Sequence, residues 1–232
     1  TTLDEGGYLL TTTDIEGEWE KKKLNDGFYD CGLLFDNDKI YVVYGINQLR
    51  IAELDEDFNK IPGSDKDVVK WSFREGLEGS RLYKIGEYYY IYSTYGGWPA
   101  FQTVFRSKDI YGPYEEKKLI DDDNIHQGAL VETQTGEWWT MLFYDKGAYG
   151  RFPNLQPVKW VDGWPEIGEN GKGATTYRKP DVGREYPIKS LPTNDNFRHY
   201  KLGLQWGWNH NADRSKWSLT EHAGYLRLYT AN

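Results

Sequence analysis

Asp30–Gly45 (DCGLLFDNDKIYVVYG), Glu78–Ser93 (EGSRLYKIGEYYYIYS) and His126–Met141 (HQGALVETQTGEWWTM) are three versions of one hairpin. In each, a short apolar segment enters a polar turn, DNDK, KIGE or ETQTGE, and a longer alternating strand returns. The three openings are separated by two equal steps of 48 residues. A period of this size, filled with short strands, is what the blade of a β-propeller leaves in a sequence. The outer strands repeat as well. TTTDIEGEWEKKKL from Thr11 corresponds to FRSKDIYGPYEEKKLI from Phe105, with Asp14 and Asp109 separated by 95 residues, about two periods. No long helical pattern competes, so the expected class is all-β.

The composition agrees with sheets. Among 232 residues there are 10 Trp, 19 Tyr and 9 Phe but one Met and one Cys, so the core must be built from rings and β-branched side chains. Rings beside polar groups also suit carbohydrate, although an aromatic core alone would produce the same count. A formal charge of -8 argues against a nucleic-acid backbone or an anionic membrane surface as partner, and a neutral substrate fits better. The single cysteine, Cys31, forbids an internal disulfide and thiolate metal clusters, and it reads as a small buried hydrophobe. No apolar run approaches the roughly 18 residues of a membrane span, and the first residues carry no charged-then-apolar signal segment.

The phase of the repeat sets the domain plan. Residues 1 to about 26 supply only the outer half of a blade, and three complete blades with such a remnant do not close a ring. Either another segment completes the propeller or the chain is a piece of a longer protein. The propeller is expected over residues 1–168 and a Gly/Pro-rich linker over 169–197. The start of a β-sandwich is expected over 198–232, whose forty or so residues are too few for an independent sandwich.

Because the inner strand of each blade lines the axis, the three opening residues, Asp30, Glu78 and His126, should face one central channel. Each alone has an ordinary reading: Asp30 as a turn cap beside Gly32, Glu78 as a partner of Arg81, His126 as a satisfied interior histidine. At one shared buried position the three need a shared reason. Two channel carboxylates suit glycoside hydrolysis, in which one protonates the leaving oxygen and a second activates water across the ring. A nearby anion raises the acid's pKa and keeps it protonated near neutral pH. Spacing does not say which carboxylate does which.

The motifs FYDCGLLFDNDKIYVVYG, LEGSRLYKIGEYYYIYSTYGG, HQGALVETQTGEWW and GAYGRFPNLQPVKWVDGWPEIG, in that order over residues 1–168, resemble the family 43 glycoside hydrolases. These are five-bladed propellers acting on arabinose- and xylose-containing polysaccharides. The resemblance implies a five-bladed β-propeller, of which this chain holds the outer half of the second blade and three full blades, followed by the β-sandwich of one branch of the family. It implies that Glu78 is the general acid and that Asp30 tunes its pKa and orients substrate. His126 matches the central histidine, which contacts a channel water or a calcium ion, and Arg151 matches an arginine that reaches the sugar hydroxyls. Gln127, Tyr29 and Trp98, with Phe28, are the further sugar-contact candidates. Trp206, Trp208 and Trp217 are core residues of the sandwich before they are rim platforms.

One departure accompanies these matches. The family's general base, an aspartate in an Asp-Pro-type motif of the first blade, has no counterpart, nor does the Trp-Ala-Pro motif of the second blade. Asp4 and Asp14 stand in the wrong context to replace the base. About one and a half blades, roughly 70 residues at this period, are therefore expected outside the chain, with the missing propeller segment as a separate piece among the candidate partners.

The resulting expectation is an inverting, exo-acting glycosidase releasing α-L-arabinofuranosyl or β-D-xylosyl units from hemicellulose such as arabinoxylan, xylan or arabinan. It needs no cofactor beyond a structural calcium at the propeller centre, and it acts as a secreted, extracellular protein, with the cytoplasm left open. The alternative is a non-catalytic carbohydrate-binding propeller or pseudoenzyme, motivated by the absent base. A generic protein-contact propeller would explain the repeat but not the Asp, Glu and His.

Overall fold

The computed structural model describes residues 6–70, 74–122, 125–187, 190–203, 205–208 and 213–230; Asp4 lies outside them. The described residues contain strands and two short 3-10 turns and no α-helix. They fall into two compact units, which divide between Gly183 and Arg184.

In the first unit, β1 (Tyr8–Thr11) and β2 (Glu20–Lys23) form a two-stranded hairpin, the expected outer half of a blade. Three four-stranded antiparallel sheets follow, each in simple sequential order. The first holds β3 (Gly32–Asp36), β4 (Lys39–Tyr44), β5 (Leu49–Leu54) and β6 (Lys66–Val69). The second holds β7 (Leu77–Ile85), β8 (Tyr88–Tyr95), β9 (Phe101–Ser107) and β10 (Glu115–Ile120). The third holds β11 (Ile125–Glu132), β12 (Trp138–Asp145), β13 (Arg151–Val161) and β14 (Trp164–Ile167). These are propeller blades.

The aromatic run YYYIYSTY of β8 shows why the blades read as they do. Successive side chains of a strand point to opposite faces, and this strand is covered on both. Tyr89, Ile91 and Tyr95 enter the core shared with the first full blade, whereas Tyr88, Tyr90 and Tyr92 enter the core shared with the third. Each fully buried ring contributes on the order of 1.5–3 kcal/mol.

Tyrosine also carries a hydroxyl that can reach the neighbouring blade's polar groups. Tyr89 donates to Asp36 at 2.8 Å. Tyr90 donates to the Gly163 carbonyl at 2.6 Å, and the Tyr92 and Thr140 hydroxyls pair at 2.8 Å. Tyr83 accepts the Leu130 N–H at 2.9 Å, linking β7 to β11. These tyrosines thus link neighbouring blades by both ring and hydroxyl.

Residues 169–183 carry no strand, yet they run as a strap along the third full blade. The Gly173 N–H donates to Asp122 at 2.9 Å and the Ala174 N–H to the buried Gln156 at 2.7 Å. The Tyr177 ring lies 5.5 Å from that of Trp139. The Asp181 N–H donates to Glu137 at 2.8 Å, and the Arg178 guanidinium pairs with the same carboxylate.

In the second unit, β15 (Trp217–Ser218) and β16 (Arg227–Leu228) form a small antiparallel pair, preceded by a turn in which Asp213 caps Ser215. Asp195 accepts hydrogen bonds from the Phe197 N–H, the Gln205 amide and the Trp206 indole. Trp206 and Trp208 are exposed, contrary to the expected core packing. They stack on Phe197 and on the half-buried Trp217 instead, because this unit has too little apolar material to enclose them.

Cys31 is likewise exposed and not buried. It sits just before β3, where its carbonyl accepts from Arg81 at 3.1 Å.

Candidate active site

The second and third full blades interrupt their first hairpins at equivalent places. In β7 the register shifts between Glu78 and Arg81, so Gly79 and Ser80 stand opposite Ser93 alone. In β11 it shifts between His126 and Ala129, so Gln127 and Gly128 stand opposite Leu142. Both are bulges whose first extra residue is left-handed, Gly79 at φ +67° and Gln127 at φ 47°. A bulge twists the strand locally and re-aims the side chain beside it.

This explains the local composition HQG. The left-handed position costs a non-glycine residue about 1–2 kcal/mol. The next residue must be glycine, because a Cβ on Gly128 would meet the Met141 carbonyl at 1.8 Å. The Gln127 side chain lies across Gly79 of the neighbouring bulge, 3.0 Å from where a Cβ would stand there.

A pocket opens at this end of the blades, and Glu78, Trp98, His126, Gln127 and Arg151 line it together with Asp145. Five of the sequence-derived candidates, distributed over 74 positions, are therefore brought to one place. Trp98 is almost fully exposed at the rim. Its loop is held from behind by Arg74, which donates to the Pro99 carbonyl at 2.7 Å and to the Gly96 carbonyl. His126 is buried with its ring 4.3 Å from that of Phe143, and the Arg151 guanidinium lies over the same Phe143 ring at 4.5 Å.

The shared buried position expected of Asp30, Glu78 and His126 holds for His126 only, since Asp30 and Glu78 are half-buried. Asp30 adopts φ 46° just before β3 and lines a second, more apolar cavity with Tyr29, Phe28 and Leu9 beside the β1–β2 hairpin. Tyr29 touches Glu78 directly: its hydroxyl donates to Glu78 Oε2 at 3.0 Å. That hydrogen bond, with the carboxylate's charge, pushes the Tyr29 phenol above its ordinary value, so it stays a donor. On the other side, a Cβ on Gly96 would stand 2.6 Å from Glu78 Oε1.

Asp145, Gly96 and Arg74 were not singled out from the sequence. For the first two the signal existed. In an antiparallel hairpin the residue after the second strand's last pair lies beside the first strand's opening, and Gly96 and Asp145 occupy that place next to Glu78 and His126. Asp145 accepts the Gly147 N–H at 3.2 Å, with Arg151 Nε 4.0 Å away. Asp14 is a turn residue whose carboxylate accepts the Glu16 N–H.

Calcium takes six to eight oxygen ligands. Among the described residues no three His, Cys, Asp or Glu side chains gather into a group that could hold a metal ion, and no chemistry is derived through one.

Residues 1–165 match the family described as Glycosyl hydrolases family 43, and residues 194–232 match the Beta xylosidase C-terminal Concanavalin A-like domain. A beta-xylosidase of Formosa agariphila is 34% identical over 96% of this chain and 45% of its own length. A non-reducing end alpha-L-arabinofuranosidase of Bacteroides ovatus is 29% identical over 97% of this chain and 46% of its own. Among solved structures, the bifunctional GH43-CE protein of Bacteroides eggerthii superposes with a TM-score of 0.81 at 35% identity, covering 97% of this chain and 31% of that one. The xylan beta-1,4-xylosidase of Bacillus halodurans gives 0.79 at 30% identity, covering 95% and 49%. The chain thus spans about half the length of the curated relatives it matches. Its repeated blades, its ordered motifs and the matches along both units agree: the chain belongs to glycosyl hydrolases family 43.

Proposed function

We propose that this chain carries the acid-bearing part of an exo-acting, inverting glycosidase that releases β-D-xylosyl or α-L-arabinofuranosyl units from hemicellulose. The observation that supports this best is the pocket in which Glu78 meets Arg151, Gln127 and Trp98. One carboxyl, a guanidinium, an amide and an exposed ring are the groups that a neutral sugar with several hydroxyls requires. The names of the relatives, xylosidases and arabinofuranosidases, point to the same two sugars.

In this reading Glu78 gives its proton to the glycosidic oxygen as the bond to the anomeric carbon breaks. A water attacks the opposite face of that carbon and loses its proton to a second carboxylate. Arg151 donates to sugar hydroxyls while Asp145 and the Phe143 face restrain it, and Trp98 offers a ring at the rim. Asp30 sets the acid's field from the start of β3. The second carboxylate belongs to an Asp-Pro-type motif that residues 1–232 do not contain. In this reading the base is supplied by a segment carrying that motif, and a polysaccharide substrate favours an extracellular protein, with the cytoplasm left open.

The test is Glu78→Ala in the full-length protein, assayed on xylo- and arabinoxylo-oligosaccharides. Activity should fall by about 10²- to 10⁴-fold, the usual contribution of a general acid. Full retention of activity would overturn the assignment. The absent base motif favours a second reading, a sugar-binding propeller without hydrolysis. Binding of arabinoxylan by the full-length protein with no product released over long incubation would select it.

A further inference from the structure

We infer that Tyr29 is a positioning residue for the acid, fixing the transferable proton on Glu78 Oε1, and not a ring on which the sugar stacks. The inference rests on the reading of Glu78 as general acid. A glutamic acid carries its proton on either oxygen, and only one of the two forms is productive for a given substrate pose. In this chain the two oxygens have different neighbours. Oε2 receives the Tyr29 hydroxyl at 3.0 Å, from the residue three positions before β3 in the preceding blade. Oε1 lies against Gly96, which lines the pocket. Tyr29 does not line that pocket and belongs to the neighbouring cavity with Phe28 and Leu9.

The consequence for the proton is chemical. The Tyr29 O–H donates, so the oxygen it meets is an acceptor, the carbonyl-type oxygen of the neutral acid. The acidic hydrogen is then left on Oε1, on the pocket side. The phenol is itself held above its ordinary value by this carboxylate and keeps its proton in the working pH range, so it remains able to donate. The Gly96 side is equally constrained: Arg74 grips the Gly96 and Pro99 carbonyls, so the backbone next to Oε1 is part of a clamped loop. A side chain at position 96 would collide with the carboxyl group.

The remaining titratable and charged groups around Glu78 are few. Asp30 adjoins Tyr29 before β3, Arg74 acts through the Gly96 carbonyl, and His126, Asp145 and Arg151 share the pocket. A hydrogen bond donated to a carboxylate favours its ionised form. Removing the Tyr29 hydroxyl therefore withdraws that support from the ionised form at the same time as it frees the proton to occupy either oxygen.

The experiment is Tyr29→Phe in the full-length protein, measured on a xylo-oligosaccharide and on 2,4-dinitrophenyl β-D-xyloside, or on the arabinofuranosyl counterparts. The dinitrophenolate leaves without a proton and so bypasses the acid. The expected result is a fall in kcat of about tenfold or more on the oligosaccharide, a change under twofold on the dinitrophenyl glycoside, and an alkaline limb of kcat/KM displaced to higher pH. Equal losses on both substrates, or an alkaline limb that does not move, would overturn the inference. The substrate ratio and the position of the limb do not depend on how much of the variant folds. Glu78→Ala in parallel separates the two claims. If it keeps oligosaccharide activity, the acid assignment fails. If it loses that activity while Tyr29→Phe leaves ratio and limb unchanged, the inference about Tyr29 alone fails.

Discussion

The blades of Glu78 and His126 place the same bulge at the same position and use it differently. Gly79–Ser80 faces Ser93 in one and Gln127–Gly128 faces Leu142 in the other. Glu78 is half-buried with a phenol on one oxygen, whereas His126 is buried against Phe143. The left-handed residue is glycine in the first blade, and in the second it is a glutamine whose amide reaches the pocket. The shared part is backbone geometry, which aims a side chain at the pocket. What that side chain can do is set by its neighbours: a half-buried carboxyl beside a phenol can exchange a proton, whereas the imidazole is buried with its ring against Phe143.

The largest expected break in this comparison is functional. Glu78→Ala should remove about 10²- to 10⁴-fold of the activity on oligosaccharides. His126→Gln, judged by the same assay, should lose less, because the proton donor in this reading is Glu78. Equal losses would mean that the two bulges serve one role.

Next comes backbone. Gly128→Ala drives a Cβ into the Met141 carbonyl, a collision with backbone that no rotamer relieves, and should cost about 3 kcal/mol or more, read as a lower denaturant midpoint. Gly79→Ala meets only the flexible Gln127 side chain and the left-handed penalty, and should cost about 1–2 kcal/mol. A reversed order would show that the bulges are not equivalent in structure.

The smallest expected effect concerns the third full blade, where the strap of residues 169–183 holds to it through Glu137, Gln156 and Trp139. The Asp181 N–H, together with the Trp139 indole and the Arg178 guanidinium, holds the Glu137 carboxyl below its ordinary range. A carboxyl whose folded value is depressed stabilises the folded form above its unfolded value and loses that contribution as the pH falls through the folded one. Amide protection relative to intrinsic exchange over residues 174–183 should therefore fall below about pH 4.3 and in Glu137→Gln at neutral pH, with protection in β7–β8 unchanged. Exchange that responds in both regions alike would sever the strap from Glu137.

Much of the site was legible because a propeller converts sequence period into spatial coincidence. Steps of 48 residues bring Glu78 and His126 to one pocket, and the loops after β8 and β12 bring Trp98 and Arg151. Asp30 shares the period but not the pocket, since the chain reaches β3 through a left-handed residue and turns its side of the blade toward the β1–β2 hairpin. Tyr29 was expected to meet sugar, and the structure puts its hydroxyl on Glu78. Strand alternation assigns a side chain to a face; it does not say which of two neighbouring groups on that face its tip will reach.

By itself the sequence determined the class of fold, the number and order of blades in this chain, the motifs of the family and the residues that open each repeat. These depend on period and pattern, which are properties of the chain alone. Only the tertiary structure decided that Tyr29 rather than Asp30 touches the acid, that Gly96 and Arg74 fix the acid's other side, and that Cys31, Trp206 and Trp208 are exposed. Those outcomes depend on distances between residues from different blades and loops. Such distances are set by how closely packed sheets approach, to within a fraction of the length of one hydrogen bond, and no single strand encodes them.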